Sequence, residues 1–516
     1  MGVILNQIET NHLMQFKFKK SGIIPLLSTV ALPLFATAPS KEAANDKPNI
    51  LLILSDDHSF PHVGCYGDAN VLKYNITPNL DAFAKQGIRF ERAYTTAPQS
   101  APSRTSIFTG CSPVSIDVTR FAEPARKEVP FFTDILRKSG YWVGLDGRNH
   151  HLDGAEDDKN PMINEVLAKE GMRSLDQRFD HVAKYNTKGA HLAEVPNRFG
   201  SVLDEVPKGK PFFLYFGFNQ PHRKFEDGYE EINPDQLVLP PDFPDLPEVR
   251  KDYARYLSDV RDMDGAFGSI MKVLEDRKLT KNTIVIFMGD NGESLLRGKG
   301  TLHSRGLHVP LIIRFPGVTK PNTATKTLVS GEDIAPTILE LVGLSFEKPI
   351  SGRSFINTLK GLEAPDKREY VFGERGWHAG PLTRTDGLDL CRSVTSERYH
   401  FIFNALPKQE FAQVDMVKTD AWQQVVKANS ENRLSDLIKS FYFYKERPVF
   451  ELYDLENDPF EAKNLAGQKE FKEIEKSLRD EIEKKMLIDH DFLPLPSHVI
   501  DNNKTKKVKT DASEEH

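Results

Sequence analysis

Four near-continuous apolar runs, each breaking off into polar residues, limit what this chain can fold into. Ile50 to Leu54 ends in Ser55-Asp56-Asp57-His58, and Tyr141 to Leu145 leads to Asp146-Gly147-Arg148-Asn149-His150-His151. Phe212 to Phe216 leads to Asn219-Gln220-Pro221-His222, and Thr283 to Met288 leads to Gly289-Asp290-Asn291-Gly292-Glu293. A strand with one wet face alternates apolar and polar residues; a strand without that alternation is covered on both faces, as in a parallel sheet. Helical patterns lie between the runs, at Phe131 to Ser139 before Gly140, Arg250 to Leu279, and Ile334 to Val342 before Gly343. This alternation predicts an α/β fold, a large doubly wound mixed sheet flanked by helices. Ligands of such sheets gather at the carboxyl ends of strands. The four polar clusters are therefore expected to meet at one site.

The pattern changes after about residue 365. Glu369 to Phe372, Tyr399 to Phe403 and Val449 to Tyr453 read as short strands, and 468–486 as a charged amphipathic helix. The expected division is a catalytic domain over 48–365, a smaller α+β domain over 366–500 and a polar, disordered tail over 501–516. At the other end, Lys17, Lys19 and Lys20 precede an apolar stretch from Gly22 to Phe35, followed by Ala36-Thr37-Ala38. A basic region, an apolar core and an A-x-A site describe a secretory signal peptide over 1–38, with a polar leader over 39–47. Met14 fits its start, and residues 1–13 read as an upstream extension. The apolar stretch holds Pro25 and Pro33 and is too short for a stable membrane span. A formal charge of -6 over 516 residues gives no basic field for nucleic acid. Three cysteines without a CxxC spacing argue against a zinc or disulfide framework.

Adjacent Asp56 and Asp57 repel unless a cation lies between them. Asp290 and Asn291 bring a further carboxylate and an amide oxygen from another strand end. Hard oxygen donors of this kind suit calcium or magnesium. The segment Ser100-Ala101-Pro102-Ser103-Arg104 reads as a loop turning into a helix, with Pro102 in the first turn and Ser100 just outside it. An ordinary capping serine would read the same way. Around it, Arg104, Arg148, His150, His151, His222 and Lys299 would form a cationic pocket suited to a tetrahedral oxyanion, sulfate or phosphate.

These residues resemble the type I, formylglycine-dependent sulfatases of the alkaline-phosphatase-like superfamily. Pro48-Asn49-Ile50 through Asp56-Asp57 is similar to the family's opening strand and metal pair, and Ser100 to Arg104 with Thr109-Gly110 to its signature. Tyr256 to Gly292, Gly298-Lys299-Gly300-Thr301, His308 to Ile312, and Tyr453-Asp454-Leu455 through Asn464-Leu465-Ala466 extend the resemblance from Lys47 to Gly467. The resemblance implies that a separate formylglycine-generating maturation enzyme oxidises Ser100 and that the aldehyde is hydrated to a diol. One hydroxyl attacks sulfur and displaces an alcohol; loss of the other hydroxyl's proton then expels sulfate. It implies a calcium or magnesium ion held by Asp56, Asp57, Ser100, Asp290 and Asn291, with Arg104 at the nucleophile and His222 and Lys299 at the sulfate. Either His222 or Lys299 would protonate the leaving oxygen.

The chain departs from the family pattern in three places. Serine replaces the commoner cysteine, as in bacterial serine-type sulfatases matured before export. Arg148-Asn149-His150-His151-Leu152 stands in place of Lys-x-His, so that counting from Arg148 favours His150 and counting back from Leu152 favours His151. Ser304-Arg305 stands where a glutamate is common. Arg223, Lys224, Arg375, His378 and Arg392 are candidate contacts for an anionic sugar. The expectation is a secreted or periplasmic carbohydrate sulfatase acting on a glycosaminoglycan-like or other sulfated polysaccharide fragment. The alternatives are an N-sulfoglucosamine sulfohydrolase, and a phosphodiester or phosphonate hydrolase on the same fold.

Overall fold

Successive residues of the first apolar run face opposite sides of a sheet, and both sides are covered. The computed structural model describes residues 47–500, apart from Ala122, 155–160, Arg173, 184–191, 226–227, 364–366, 379–386 and Ala412. The expected signal peptide, most of the leader and the polar tail lie outside the described residues. The strands are β1 (Asn49–Ser55), β2 (Ile88–Phe90), β3 (Ala93–Tyr94), β4 (Trp142–Asp146), β5 (His181–Ala183), β6 (Phe212–Gly217) and β7 (Thr283–Gly289). They continue as β8 (Leu311–Arg314), β9 (Thr323–Thr325), β10 (Val329–Ser330), β11 (Val371–Trp377), β12 (Leu388–Thr395), β13 (Tyr399–Asn404) and β14 (Phe450–Asp454). Eight of them form one sheet in the order β5-β4-β6-β1-β7-β8-β2-β9. Pairing is parallel from β5 through β7, and β8 runs antiparallel to both β7 and β2.

The two faces carry separate cores. Leu51, Ile53, Leu214, Phe216, Val285 and Phe287 pack with the long helix Pro247–Asp276 and with Val195–Asp204. Ile50, Leu52, Leu54, Phe213, Ile284 and Ile286 face the helices Ser100–Thr109, Phe132–Lys138 and Ile334–Leu341. Two-sided burial is why these strands lack alternation. The helices start and stop within a few residues of the sequence expectation.

The smaller sheet is antiparallel, in the order β11-β12-β13-β14. The helix Lys472–Ile488 covers it through Leu478, Ile482 and Met486, against Val394, Phe401 and Leu452. Strand β12 escaped the sequence reading. Its first residues mix exposed Leu388 with buried Asp389, which pairs with Arg447. Helices Asp420–Ser430 and Asp436–Tyr442 belong to the core of the large sheet, placing Ala421, Val425, Ile438 and Phe441 with residues of the Pro247–Asp276 helix. No helix among the described residues is long and apolar enough to cross a membrane.

Strand β11 is tied to the segment before Ser100. The Glu374 amide donates to the Thr96 carbonyl at 2.9 Å, and Gln99 Nε2 donates to the Trp377 carbonyl at 2.9 Å. The Glu374 carboxyl accepts from the Val114 amide at 2.8 Å. Burial pushes that carboxyl up to about 7 from 4.5; Asp489 adds to the rise, and Lys485 and Arg392 oppose it. The folded chain thus holds this proton more tightly than the unfolded chain does. Stability from this group is complete below the unfolded value and is lost as pH rises through about 7, at a cost of about 3 kcal/mol. Glu374→Gln keeps the acceptor and removes the charge, so its melting temperature at pH 8 should exceed wild type by about 3 °C. The gap should close at pH 4.5; an equal gap at both pH values in calorimetry would contradict the assignment.

Candidate active site

The adjacent strands β4, β6, β1 and β7 each deliver one polar cluster to the same edge of the sheet. At the end of β1, Asp57 adopts φ 61°, and after β4, Arg148 adopts φ 56°. Left-handed backbone is tolerated by aspartate and unfavourable for arginine, by about 1–2 kcal/mol, so both turns are fixed by their surroundings. Before Arg148, Gly147 has φ 88°, and a Cβ there would lie 2.5 Å from the Gly217 carbonyl oxygen. Only glycine lets β4 turn this close to β6.

Ser100 is the first residue of its helix, one position further in than the sequence suggested. Gln99 is extended, at φ -150° and ψ 136°, and its carbonyl accepts the first helical hydrogen bond from Ser103 N at 3.1 Å. Pro102 falls in the first turn as expected, where an N–H has no helical acceptor. The Ser100 hydroxyl lies 2.9 Å from Asn291 Oδ1 and 3.2 Å from Asp56 Oδ1. Asn291 Nδ2 donates to Asp57 Oδ1 at 2.8 Å, so its oxygen is directed at Ser100. Asp290 Oδ1 accepts from the amides of Asp57 at 3.0 Å and Asn291 at 2.7 Å. All five residues are completely buried.

Fixed cations face these carboxylates. Arg104 donates through Nε to Asp290 Oδ2 at 2.8 Å, stands 3.3 Å from Asp56 Oδ2 and donates to the Tyr215 hydroxyl. Arg148 pairs with Asp56 and donates to Asn219 Oδ1 at 2.6 Å. Lys299 Nζ lies 3.0 Å from Asp57 Oδ2 and 2.8 Å from Asp415 Oδ2. His222 Nε2 is 3.8 Å from Asp57 Oδ2 and 3.9 Å from Asp415 Oδ2. Burial alone would lift Asp56, but Arg148 and Arg104 outweigh it and hold its carboxyl well below the usual range. For Asp290 burial wins, with Asp56 and Asp57 adding to it against Arg104, and the carboxyl rises to about 6. Burial opposes the charge on Lys299, but Asp415 and Asp57 keep it protonated far above neutrality.

The carboxylates of Asp56, Asp57 and Asp290, with the Asn291 and Ser100 oxygens, form an acidic cluster able to hold a hard cation. Burial, with the neighbouring Asp56 and Asp57 charges added, lifts Asp290 even though Arg104 faces it. Two overlapping groups bring their ligand atoms within 4.8 Å of one another, Asp56 with Asp57 and His222, and Asp56 with His151 and Asp290.

The tandem histidines differ in position. The His151 ring reaches Asp56 and Asp290, and its Nε2 is 3.4 Å from Arg148 Nη2. His150 packs against it with ring centroids 4.0 Å apart. Burial, followed by the charges of His150, Arg148 and Arg104, holds His151 neutral. Among the residues expected at the sugar, His378 adjoins the site, where it contributes to the field at Asp415, and packs on Phe121 at 5.1 Å. Lys224 is exposed and Arg375 buried. Two others are committed elsewhere. Arg223 forks onto Asp252 and donates to the Ser294 carbonyl at 2.8 Å, and Arg392 pairs with Asp491 on the far side of β12. Arginine forks bind carboxylates bidentately, so an internal aspartate in reach captures them.

Asp415 and Tyr215 were missed. Asp415 sits in a turn without periodic signal, and Tyr215 reads as one more apolar residue of β6.

The sulfatase family model matches residues 48–344, and the model for the C-terminal part of N-sulphoglucosamine sulphohydrolase matches 292–439 and 431–487. An ulvan-active sulfatase of Formosa agariphila is 28% identical over 486 residues, covering 89% of this chain and 78% of the relative. Human N-sulphoglucosamine sulphohydrolase is 25% identical over 493 residues, covering 86% and 90%. A solved structure described as a complex with its substrate D-glucosamine-2-N,6-O-disulfate superposes with a TM-score of 0.64 at 18% identity, covering 87% of this chain and 99% of that one.

Proposed function

Because this chain belongs to the sulfatase family and is thereby a sulfuric ester hydrolase, we propose that it removes sulfate from a sulfated carbohydrate, a glycosaminoglycan-like or other polysaccharide fragment, using a formylglycine made from Ser100. The observation that carries this reading is the Ser100 oxygen held between Asp56 and Asn291, with Arg104, Arg148 and Lys299 around it. The Ser100 Oγ stands for one hydroxyl of the hydrated aldehyde. A calcium or magnesium ion held by Asp56, Asp57, Asp290, Asn291 and residue 100 would favour the ionised nucleophile and neutralise a sulfuryl oxygen.

The residues divide the remaining work. Arg104 fixes Asp290 and Asp56, and so the oxygen cage around residue 100. Arg148 and Lys299 face the transferring group as fixed cations, aligned before the reaction, which is where electrostatic stabilisation is most effective. The alcohol oxygen leaves with a proton from His222 or Lys299. His151, held neutral, is the better placed of the two histidines to take the proton of the second hydroxyl, which breaks the C–O bond to sulfate. A plain serine has no such hydroxyl and would remain sulfated. The maturation enzyme is thus a required partner, and the basic and apolar N-terminal segment supports export to a bacterial periplasm or beyond.

A second reading, cleavage of an N-sulfate, is favoured by the match of the C-terminal part to N-sulphoglucosamine sulphohydrolase. Side-by-side turnover separates the readings. Aryl sulfate should exceed aryl phosphate in kcat/KM by more than about 100-fold; equal or faster phosphate cleavage would move the chain to phosphoester or phosphonate chemistry. Sulfate release from glucosamine-N-sulfate but not from O-sulfated glucosamines would select the second reading.

A further inference from the structure

Behind the loop that carries Lys299 lies a second cavity, of about 240 Å³, between residues Gly300 to His303 and the antiparallel sheet. Arg375 projects from β11 into its lining with 2% of the residue exposed. None of its three guanidinium nitrogens has a hydrogen-bond partner among the described residues. Its single ion pair among the described residues is a 3.4 Å contact from Nε to Asp389 Oδ2.

The nearby acceptors are taken. Asp389 receives both Nη groups of Arg447 and the Cys391 thiol. Glu451 receives the Tyr453 hydroxyl and Asn404 Nδ2. Arg297, a third guanidinium on the lining, donates to the carbonyls of Phe460 and Glu461, which carry no charge. Three guanidinium groups therefore face two carboxylates, and the least compensated of them is also the most deeply buried. A buried cation without acceptors is strongly disfavoured, whereas an oxyanion on its open edge forms charge-assisted, bidentate bonds. The loop is shaped to lie on this arginine. Gly300 has φ 81°, and a Cβ there would lie 2.5 Å from Arg375 Nη1 and 2.3 Å from Val414 Cγ2.

We propose that this cavity is an anion-binding site, separate from the sulfate position at Ser100, in which the Arg375 fork holds a small oxyanion. The bound group is a tetrahedral sulfate or a carboxylate, either free or carried on a sugar, and the cavity has room for more than the oxyanion alone. The site does not depend on which sulfated compound the enzyme cleaves. It touches the chemistry only through the backbone, because Gly300 directly follows Lys299.

Crystals of full-length wild-type enzyme soaked in selenate, and separately in glucuronate, test the site without any variant. The expected result is an anomalous selenium peak about 3 Å from the Arg375 nitrogens, or a glucuronate carboxylate in the same place. Selenate binding identifies a free oxyanion, and glucuronate binding alone a sugar-borne carboxylate. Selenate confined to the Lys299 and Ser100 side, with no glucuronate at Arg375, overturns the proposal. In solution, equilibrium dialysis with labelled sulfate or glucuronate, whichever the soaks place there, should show Arg375→Leu binding one fewer equivalent than wild type. Unchanged stoichiometry in a folded variant likewise overturns it.

Discussion

Ser100→Ala should eliminate sulfate-ester turnover, lowering kcat by about 10⁵-fold or more while leaving the fold intact. The size of the effect follows from the proposed role of residue 100, since loss of a nucleophile costs far more than loss of any positioning group. The side chain is small and completely buried, and it contributes only contacts to Asn291 and Asp56, so its removal leaves a minor void. The companion measurement is the mass of the tryptic peptide spanning 93–104 from a host with the maturation enzyme. Conversion of the serine to formylglycine removes two hydrogens, about 2 Da, and hydration of the aldehyde then adds the mass of one water. Active enzyme whose peptide carries only unmodified serine, or a Ser100→Ala variant within tenfold of wild type, would remove residue 100 from the chemistry.

Asp290→Ala should abolish metal binding and activity together. Asp290 joins three parts of the site, because its two oxygens take the amides of Asp57 and Asn291 and the Arg104 guanidinium. We expect kcat to fall by more than about 1,000-fold and bound metal, read by atomic emission, to fall below a tenth of wild type. Alanine also strands Arg104, buried and short of a charge partner, so Asp57→Asn provides a gentler control with the same expected loss. Chelator-treated wild type should match both variants, and added calcium or magnesium should rescue wild type only. Full activity in a variant that has lost its metal would show that these carboxylates serve the fold and not the reaction.

The sheet and its strand tips were legible because burial on both faces leaves a strong mark, an unbroken apolar run that stops where the chain leaves the core. Asp56, Asp57, Asp290 and Asn291 could be grouped for that reason alone, since adjacent parallel strands bring their ends together. Residues that act from outside those tips left no such mark. Tyr215 is hidden inside the run of β6, where a hydroxyl facing Arg104 looks like one more aromatic. Asp415 comes from an irregular turn far along the chain, and its pairing with Lys299 is a matter of tertiary packing alone. Arg223 and Arg392 differ in the opposite sense. Composition marked them as available charge, and only the fold showed the aspartates that hold them. The different positions of His150 and His151 depend on the direction of one short helical turn after β4, which residue counting cannot fix.

The ties from β11 to Thr96 and Gln99, and from Asp415 to Lys299, bear on how such enzymes diversify. The C-terminal third does not merely sit beside a finished catalyst; it clamps the segment leading to Ser100 and, through Asp415, joins Asp57 in favouring the charged form of Lys299. Grafting that third from a cousin with another sugar preference would disturb reactivity along with taste, so selectivity is more safely rewritten at loop crowns than by trading whole lobes.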